Sequence, residues 1–373
     1  VSTLTGLISS GGGGGATGEV FTVLQSSTFT FPYDGKVKIY CIGGGGSGGL
    51  ASGNTNGTVG TGGAAGGTSV KVLDVTASDS IVCVIGAGGA STTSAVSNGN
   101  SGGQSTVNSN NLVISLTANG GSGGIGQNFN SGGTFSNVSG AGTGSGGDYN
   151  YTGGTGGTLS ASTGGGANSN SGRYATGGGA TGINANGLSG ANITANNAQY
   201  SITAGGSLYG SPVNLSKNNS NGLSVGGRAA SGLIDAASFN NSNDVWSIGG
   251  NLTTVVQLIA SNGMDTSNGN PTLPEVAVKG EGASGGYDGT NLAYVNGGPG
   301  GGCAPTQLNG AGHPNAGMFG GGGGCTGNGL DANNSGSDGG LGGGGGGGGA
   351  RVGNALPLAS GAGGDGMIII QYV

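Results

Sequence analysis

The sequence predicts an all-β protein. An antiparallel β-sandwich, closed by the N- and C-terminal strands, carries a large inserted glycine-rich bundle, with little or no α-helix. Three observations lead there. Glycine supplies 100 of the 373 residues, against a usual share of roughly 7%. Alternating β-branched segments crowd the first third of the chain. A final apolar strand stands alone at the far end, where its only available partners are the N-terminal ones.

The strands follow in order. Glu19–Gln25 and Ser27–Phe31 are rich in β-branched and aromatic residues, and Pro32-Tyr33-Asp34-Gly35 reads as a turn. Lys36–Ile42 alternates: Val37, Ile39 and Cys41 fall on one face, Lys36, Lys38 and Tyr40 on the other, as in a half-buried strand. Thr68–Val75 and Ser80–Ile85 repeat the pattern across a short polar turn, and Asn111–Thr117 is a further strand. The continuous apolar run of Gly366–Val373 predicts a strand buried between neighbours. Residues 1–118 plus 366–373 therefore form the sandwich, and 119–365 the glycine-rich bundle. The bundle contains a glycine-poor lobe at 196–281, with apolar residues such as Val213, Leu223 and Ile234.

Glycine loses roughly 0.5–1 kcal/mol more than alanine on ordering, so something regular must offset it. A polyproline-II-like helix has three residues per turn and no internal hydrogen bonds. Its sideways N–H and C=O groups can pair with neighbours that lack Cβ atoms. Glycine runs such as Gly320–Gly324 and Gly342–Gly349 suit such a polyglycine-II-like bundle. Other residue types should then project outward or sit at corners. Charged residues are only 6% of the chain, whereas disordered chains are usually highly charged.

Composition also bounds function. The formal net charge is −6, with eight basic residues scattered singly, which argues against nucleic-acid binding. No apolar run approaches the ~18 residues of a membrane span. With so much glycine, the GxGxxG at Gly43–Gly48 arises by chance and implies no cofactor. GxSxG patterns surround Ser47, Ser101, Ser122 and Ser284, but His313 is the single histidine, so no triad and no enzyme is read. Asp331-x-Asn333-x-Ser335 starts a calcium-loop pattern that ends on Gly342 instead of glutamate. Cys41 and Cys83 fall at inward strand positions, as buried thiols. Cys303 and Cys325, both after glycine runs, are a possible disulfide pair, which leans the chain toward an extracellular setting.

The segments FTFPYDGKVKIYCIGGGGSGG, GGTSVKVLDVTASDSIVCVIGAGG, GGQSTV and GGDGMIIIQYV resemble the glycine-rich domain of bacteriophage tail-fibre and tip-adhesin proteins. The order of strand, polyglycine, strand pair ending in GAGG, long glycine region and closing strand carries the resemblance. It implies a non-enzymatic virion-surface or extracellular protein. Its glycine bundle would hold loops against a host-cell surface glycan or outer-membrane protein. Aromatic residues bring large contact area at little entropic cost, so Tyr149, Tyr151, Tyr209 and Trp246 are the candidate contacts. Trp246, beside Val245 and Ile248, reads first as packing. The alternative is a self-assembling subunit of a secreted filament or surface layer. There Val1–Ser10, with Leu4, Leu7 and Ile8, would be an arm that joins copies.

Overall fold

The computed structural model describes residues 18–51, 57–94, 96–129, 133–135, 140–162, 173–183, 185–187, 189–190, 193–196, 200–201, 286–287, 292–293, 319–322, 336, 338–347 and 359–373. Every regular element among them is a strand. No helix there is long and apolar enough to cross a membrane.

Two five-stranded sheets face each other. The first, here the terminal sheet, runs in the order Val20–Val23, Met367–Tyr372, Gly35–Ile42, Thr68–Val75, Tyr149–Tyr151. All its pairs are antiparallel. The predicted closure by the two ends is therefore present, and the C-terminal strand lies between neighbours because both its faces are apolar. The second, the facing sheet, runs Gly144–Ser145, Ser115–Ala118, Ser105–Asn108, Ser80–Val84, Ser27–Thr30. Val37, Ile39, Cys41, Ile368 and Ile370 from the first sheet meet Ile81, Cys83, Val107 and Leu116 from the second in one buried cluster. Each such apolar side chain contributes roughly 1.5–3 kcal/mol on burial.

Several local expectations change. The polar turn after Val75 carries the chain from one sheet to the other. Asp79 accepts from the Thr76 amide and hydroxyl, and Ser78 takes a φ of 80°. Asn111–Thr117 pairs only from Ser115 onward, because Ile114 N–H donates to Leu112 C=O (2.9 Å) and tightens the chain just before the strand. The Gly35–Ile42 strand is half-buried only at its start. Further along, Tyr40 and Ile42 pack on the outer face with Val70, Phe319 and Met367.

Glycine runs extend from one end of this sandwich. Gly43–Gly49 leads from Ile42 to Leu50–Ala51, and residues 61–67 return from Gly57–Gly60 to Thr68. Residues 119–124 lead out from Ala118 to Gly126–Phe129, and 359–366 return to Met367. At the far end lie short sheets. Leu50–Ala51 pairs with Val96–Ser97. A four-stranded sheet joins Gly126–Phe129, Gly57–Gly60, Arg173–Ala175 and Tyr200–Ser201, and a three-stranded one joins Gly133–Phe135, Leu159–Ser162 and Ile193–Asn196. Both contain parallel pairs, unlike the sandwich. Gly286–Tyr287 and Leu292–Ala293 form a further antiparallel pair.

The runs bond to one another with a period of three. Gly43, Gly46 and Gly49 donate to Gly67, Ala64 and Thr61; Gly44 and Ser47 to Gly103 and Asn100; Gly45 and Gly48 to Gly364 and Gly361, all at 2.8–3.0 Å. The same run accepts from Gly121, Gly124, Gly89 and Gly345. Residues 61–67 repeat the scheme: Thr61, Ala64 and Gly67 donate to Ile125, Ser122 and Asn119, and Gly63 and Gly66 to Gly345 and Gly342. This layer therefore mixes runs from within 1–118 with runs from within 119–365.

Close approach explains the glycine. A Cβ built on Gly45 would stand 2.0 Å from the Gly343 carbonyl oxygen, and one on Gly48 2.0 Å from that of Gly346. No real Cβ contact is so short, so any side chain there must separate two runs. The expectation that all other residues point outward is too strong. Ser47, Thr61, Ala64, Ala65, Thr176, Ala180 and Thr181 are fully buried in the layer, because an occasional methyl or hydroxyl fits between runs where glycines do not face it.

Candidate functional site

The hydroxyl residues inside the layer have a definite task. Thr176 Oγ1 accepts from Gly62 N–H (3.0 Å) and donates to Gly157 C=O (2.7 Å). Thr61 Oγ1 accepts from Ile125 N–H (2.7 Å), and Ser47 Oγ from Asn100 N–H (2.8 Å). Each takes the place of a backbone carbonyl for an N–H that is buried (Gly62) or partly buried (Ile125, Asn100); leaving a buried N–H orphaned costs about 1–3 kcal/mol. Carboxylates do the same at the rim: Asp365 accepts from Gly88 N–H and Asp338 from Ala362 N–H, both at 2.7 Å. The sequence signal was available, as single Ser or Thr residues within glycine runs (GGGGSGG, TGG, TGGG).

Two thiols and one carboxylate of the sandwich are shifted by their surroundings. Cys41 and Cys83 are buried free cysteines, as their inward positions predicted. Burial, aided by the neighbouring Cys83, pushes the Cys41 thiol far up, and burial alone takes Cys83 to about 12. Both are thiols at neutral pH, and the thiolate is the nucleophile. Asp148 is held below the usual carboxylate range by the Val72 N–H and then by Lys71, whose Nζ lies 2.9 Å away. Among the described residues no three His, Cys, Asp or Glu side chains gather in a metal-holding group.

Two of the candidate contact residues are described. Tyr149 and Tyr151 were expected on a loop. They lie instead on an edge strand of the terminal sheet, opposite Val70 and Thr68, because Asp148 anchors the strand to Thr68–Val75. Tyr149 is 56% exposed, whereas Tyr151 packs partly buried on the cluster around Tyr40 and Met367. They flank the sandwich, and the structure does not bring them to the far end of the glycine layer. Tyr209, Trp246, the arm residues Leu4, Leu7 and Ile8, the cysteines Cys303 and Cys325, His313 and nearly all of the 196–281 lobe lie outside the described residues.

The far end of the layer carries a different surface. Thr92 and Ser97 share a hydroxyl–hydroxyl bond of 2.5 Å, Ser97 also donates to Ser94 C=O, and Asn98 Oδ1 accepts from Gly126 N–H. Val96 is 45% exposed beside them. The described residues around Thr92 and Asn98 are polar and uncharged, whereas Glu19, Asp34, Lys36, Asp74 and Asp79 lie around the opposite pole of the sandwich.

One connected set of aromatic rings was not anticipated. Phe31, Phe29, Phe21, Tyr372 and Tyr33 touch in series, with ring centroids 5.2–6.3 Å apart. They line the side of the sandwich where, among the described residues, Val20–Val23 and Ser27–Thr30 are the edge strands of the two sheets. The alternation in FTFPY was the available signal.

No curated protein matches this chain. A model of a glycine-rich domain matches residues 21–243, which takes in most of the sandwich and the first half of the glycine layer. The chain belongs to that glycine-rich domain family.

Proposed function

We propose that this protein is a non-enzymatic, tail-fibre-like adhesion component, whose glycine layer is a polyglycine-II-like bundle. The period-three pairing supports the helix, because three residues complete its turn. At ~3.1 Å per residue the Gly43–Gly49 run spans roughly 20 Å, and cross-bonded neighbours make that span stiff. The observation that carries the function is the polarity of the chain path. Gly18 and Val373 hydrogen-bond to Tyr372 and Lys36 at one pole, while the glycine runs lead away to short sheets at the other. One pole is suited to attachment, the other to presenting loops to a surface. The hydroxyl and amide groups of Thr92, Ser97 and Asn98 at that end fit a host-cell surface glycan or a loop of an outer-membrane protein. A virion-surface or extracellular setting follows from that role.

The test is adsorption. The purified chain, fluorescently tagged at its C-terminus, should label cells of a susceptible strain and block adsorption of the corresponding phage. Deleting 203–281 should abolish labelling while leaving the sandwich folded. Labelling that survives that deletion would count against the central lobe as the contact.

A filament or surface-layer subunit, joined through Val1–Ser10, is the second reading. It draws on the sheet edges beside the aromatic series, which have no further strand among the described residues. Regular filaments appearing with concentration in electron micrographs would favour it.

A further inference from the structure

The two sheets end on the same side of the sandwich, at Val20–Val23 and Ser27–Thr30. Among the described residues neither edge has a further strand. The ladder next to Val20–Val23 bonds Tyr372 N–H to Glu19 C=O, and that next to Ser27–Thr30 bonds Phe31 N–H to Asp79 C=O. By the alternation of antiparallel pairing, the amides of Val20, Thr22, Thr28 and Thr30 then face outward. Natural sheets blunt such edges with lysine, proline or charge. The sequences VFTV and STFT contain none of these. The opposite edge of the terminal sheet is sealed: Asp148 leads into it and bonds Val72 N–H and Lys71. Beside the open edges, Val20 and Leu24 are 36% and 50% exposed. Phe21 and Phe29 are only partly buried against the core, with their rings 5.2 Å apart.

We infer that two copies of this chain pair through these edges about a two-fold axis parallel to the strands. Such an axis places the terminal sheet of one copy in the plane of the facing sheet of the other. Val20–Val23 and Ser27–Thr30 run in opposite senses within one copy, so across the axis each meets the other as an antiparallel neighbour. Two seams form and two continuous ten-stranded sheets result. The Phe21–Phe29 contact sets the register: these residues lie at one level, so Phe21 of each copy comes opposite Phe29 of its partner, and Thr22 opposite Thr28. Four phenylalanine rings then meet at the axis and complete the burial that each pair lacks alone. Charge favours a second copy at this place. The chain carries a net charge of −6, so like chains repel, and these strands are uncharged. The orientation of the axis rests on the polar reading of the bundle, because only this axis directs both glycine layers and both loop-bearing poles the same way.

Sedimentation equilibrium of the full chain over a concentration series tests this. The expected mass is twice that of the chain. The Thr22→Lys/Thr28→Lys variant sets like charges across both seams and should weaken the dimer at least tenfold, with the circular dichroism spectrum unchanged. The Thr22→Lys/Thr28→Asp variant sets opposite charges across each seam and should restore the dimer. Thr22 and Thr28 lie on outer faces of different sheets within one copy, so the rescue acts only between copies. A wild-type chain that stays monomeric overturns the proposal, as it would if the chain's own residues 1–17 occupied an edge. So does a Lys/Asp variant that behaves like the Lys/Lys one. Cell adsorption by a monomer would leave the adhesion reading standing while this one fell.

Discussion

The sandwich and the glycine layer are held by opposite means. In the sandwich, side chains fill the space between two backbones: Leu116, Ile39 and Ile368 are fully buried, and the sheets stand apart to admit them. In the layer, backbones fill the space themselves. Gly43–Gly49 bonds to runs on every side, and the carbonyl of Gly343 occupies the place where a side chain of Gly45 would stand. One region is weakened by removing atoms, the other by adding them. A chain with little apolar mass can thus order a large volume, provided its backbone groups find partners and its glycines recur in register.

The strongest way to break that comparison is a pair of substitutions. Leu116→Ala should destabilise by about 2–5 kcal/mol, the usual range for a buried leucine. Gly45→Ala adds one methyl group and should destabilise by about 3 kcal/mol, the upper part of the overpacking range. Gly140, with nothing within 4 Å of its would-be Cβ, should accept alanine within about 0.5 kcal/mol. Urea melts of the three variants check all of this; equal effects at Gly45 and Gly140 would remove the close-packed layer from the account.

A smaller contrast lies within one run. Thr176 holds two backbone groups through its hydroxyl, whereas the buried Thr181 Oγ1 has no partner. Thr176→Val should therefore destabilise by about 1–3 kcal/mol. Thr181→Val, which removes an unsatisfied oxygen at nearly constant shape, should be neutral or slightly stabilising. Thermal melts of the two variants should shift in different amounts or directions; matching losses would show that the hydroxyls merely fill space.

The smallest effect is confined to alkaline solution. The thiol of Cys83 is raised in the folded state, to about 12. Its contribution is fully present below the unfolded thiol range near pH ~8.5. It is lost as pH rises from there toward the folded value, because only the unfolded chain ionises. Cys41 acts in the same direction. Stability should fall through that window, and Cys41→Val/Cys83→Val should flatten the fall. An unchanged alkaline slope in the double variant would assign the effect to other groups.

Much of the sandwich was legible because alternation reports which face is buried. Val37, Ile39 and Cys41 point inward as their spacing required, and the unbroken MIII run marked a strand covered on both sides. Alternation is silent about which sheet a strand joins, so it did not reveal that the Thr76–Asp79 turn crosses between the two sheets. Tyr149–Tyr151 was hidden for a related reason: three residues among glycines carry no period, and what fixes them is Asp148 reaching a distant amide. The layer was legible in composition but not in register. Its partners are backbone groups far apart in sequence, such as Gly45 and Gly364, and nothing in a glycine run says which other run it meets. The aromatic series was missed because its members, Phe21, Phe29 and Tyr372, come from three strands that only the closed sandwich brings together.

The claim on which the account depends is that the glycine runs are ordered by hydrogen bonds between backbones. Amide hydrogen exchange read residue by residue tests it most directly. The account predicts that Gly43–Gly49 and residues 61–67 are protected to a degree comparable with Gly35–Ile42, despite having almost no side chains. Exchange of those glycine amides at the rate of an unstructured peptide, with the sandwich still protected, would contradict it.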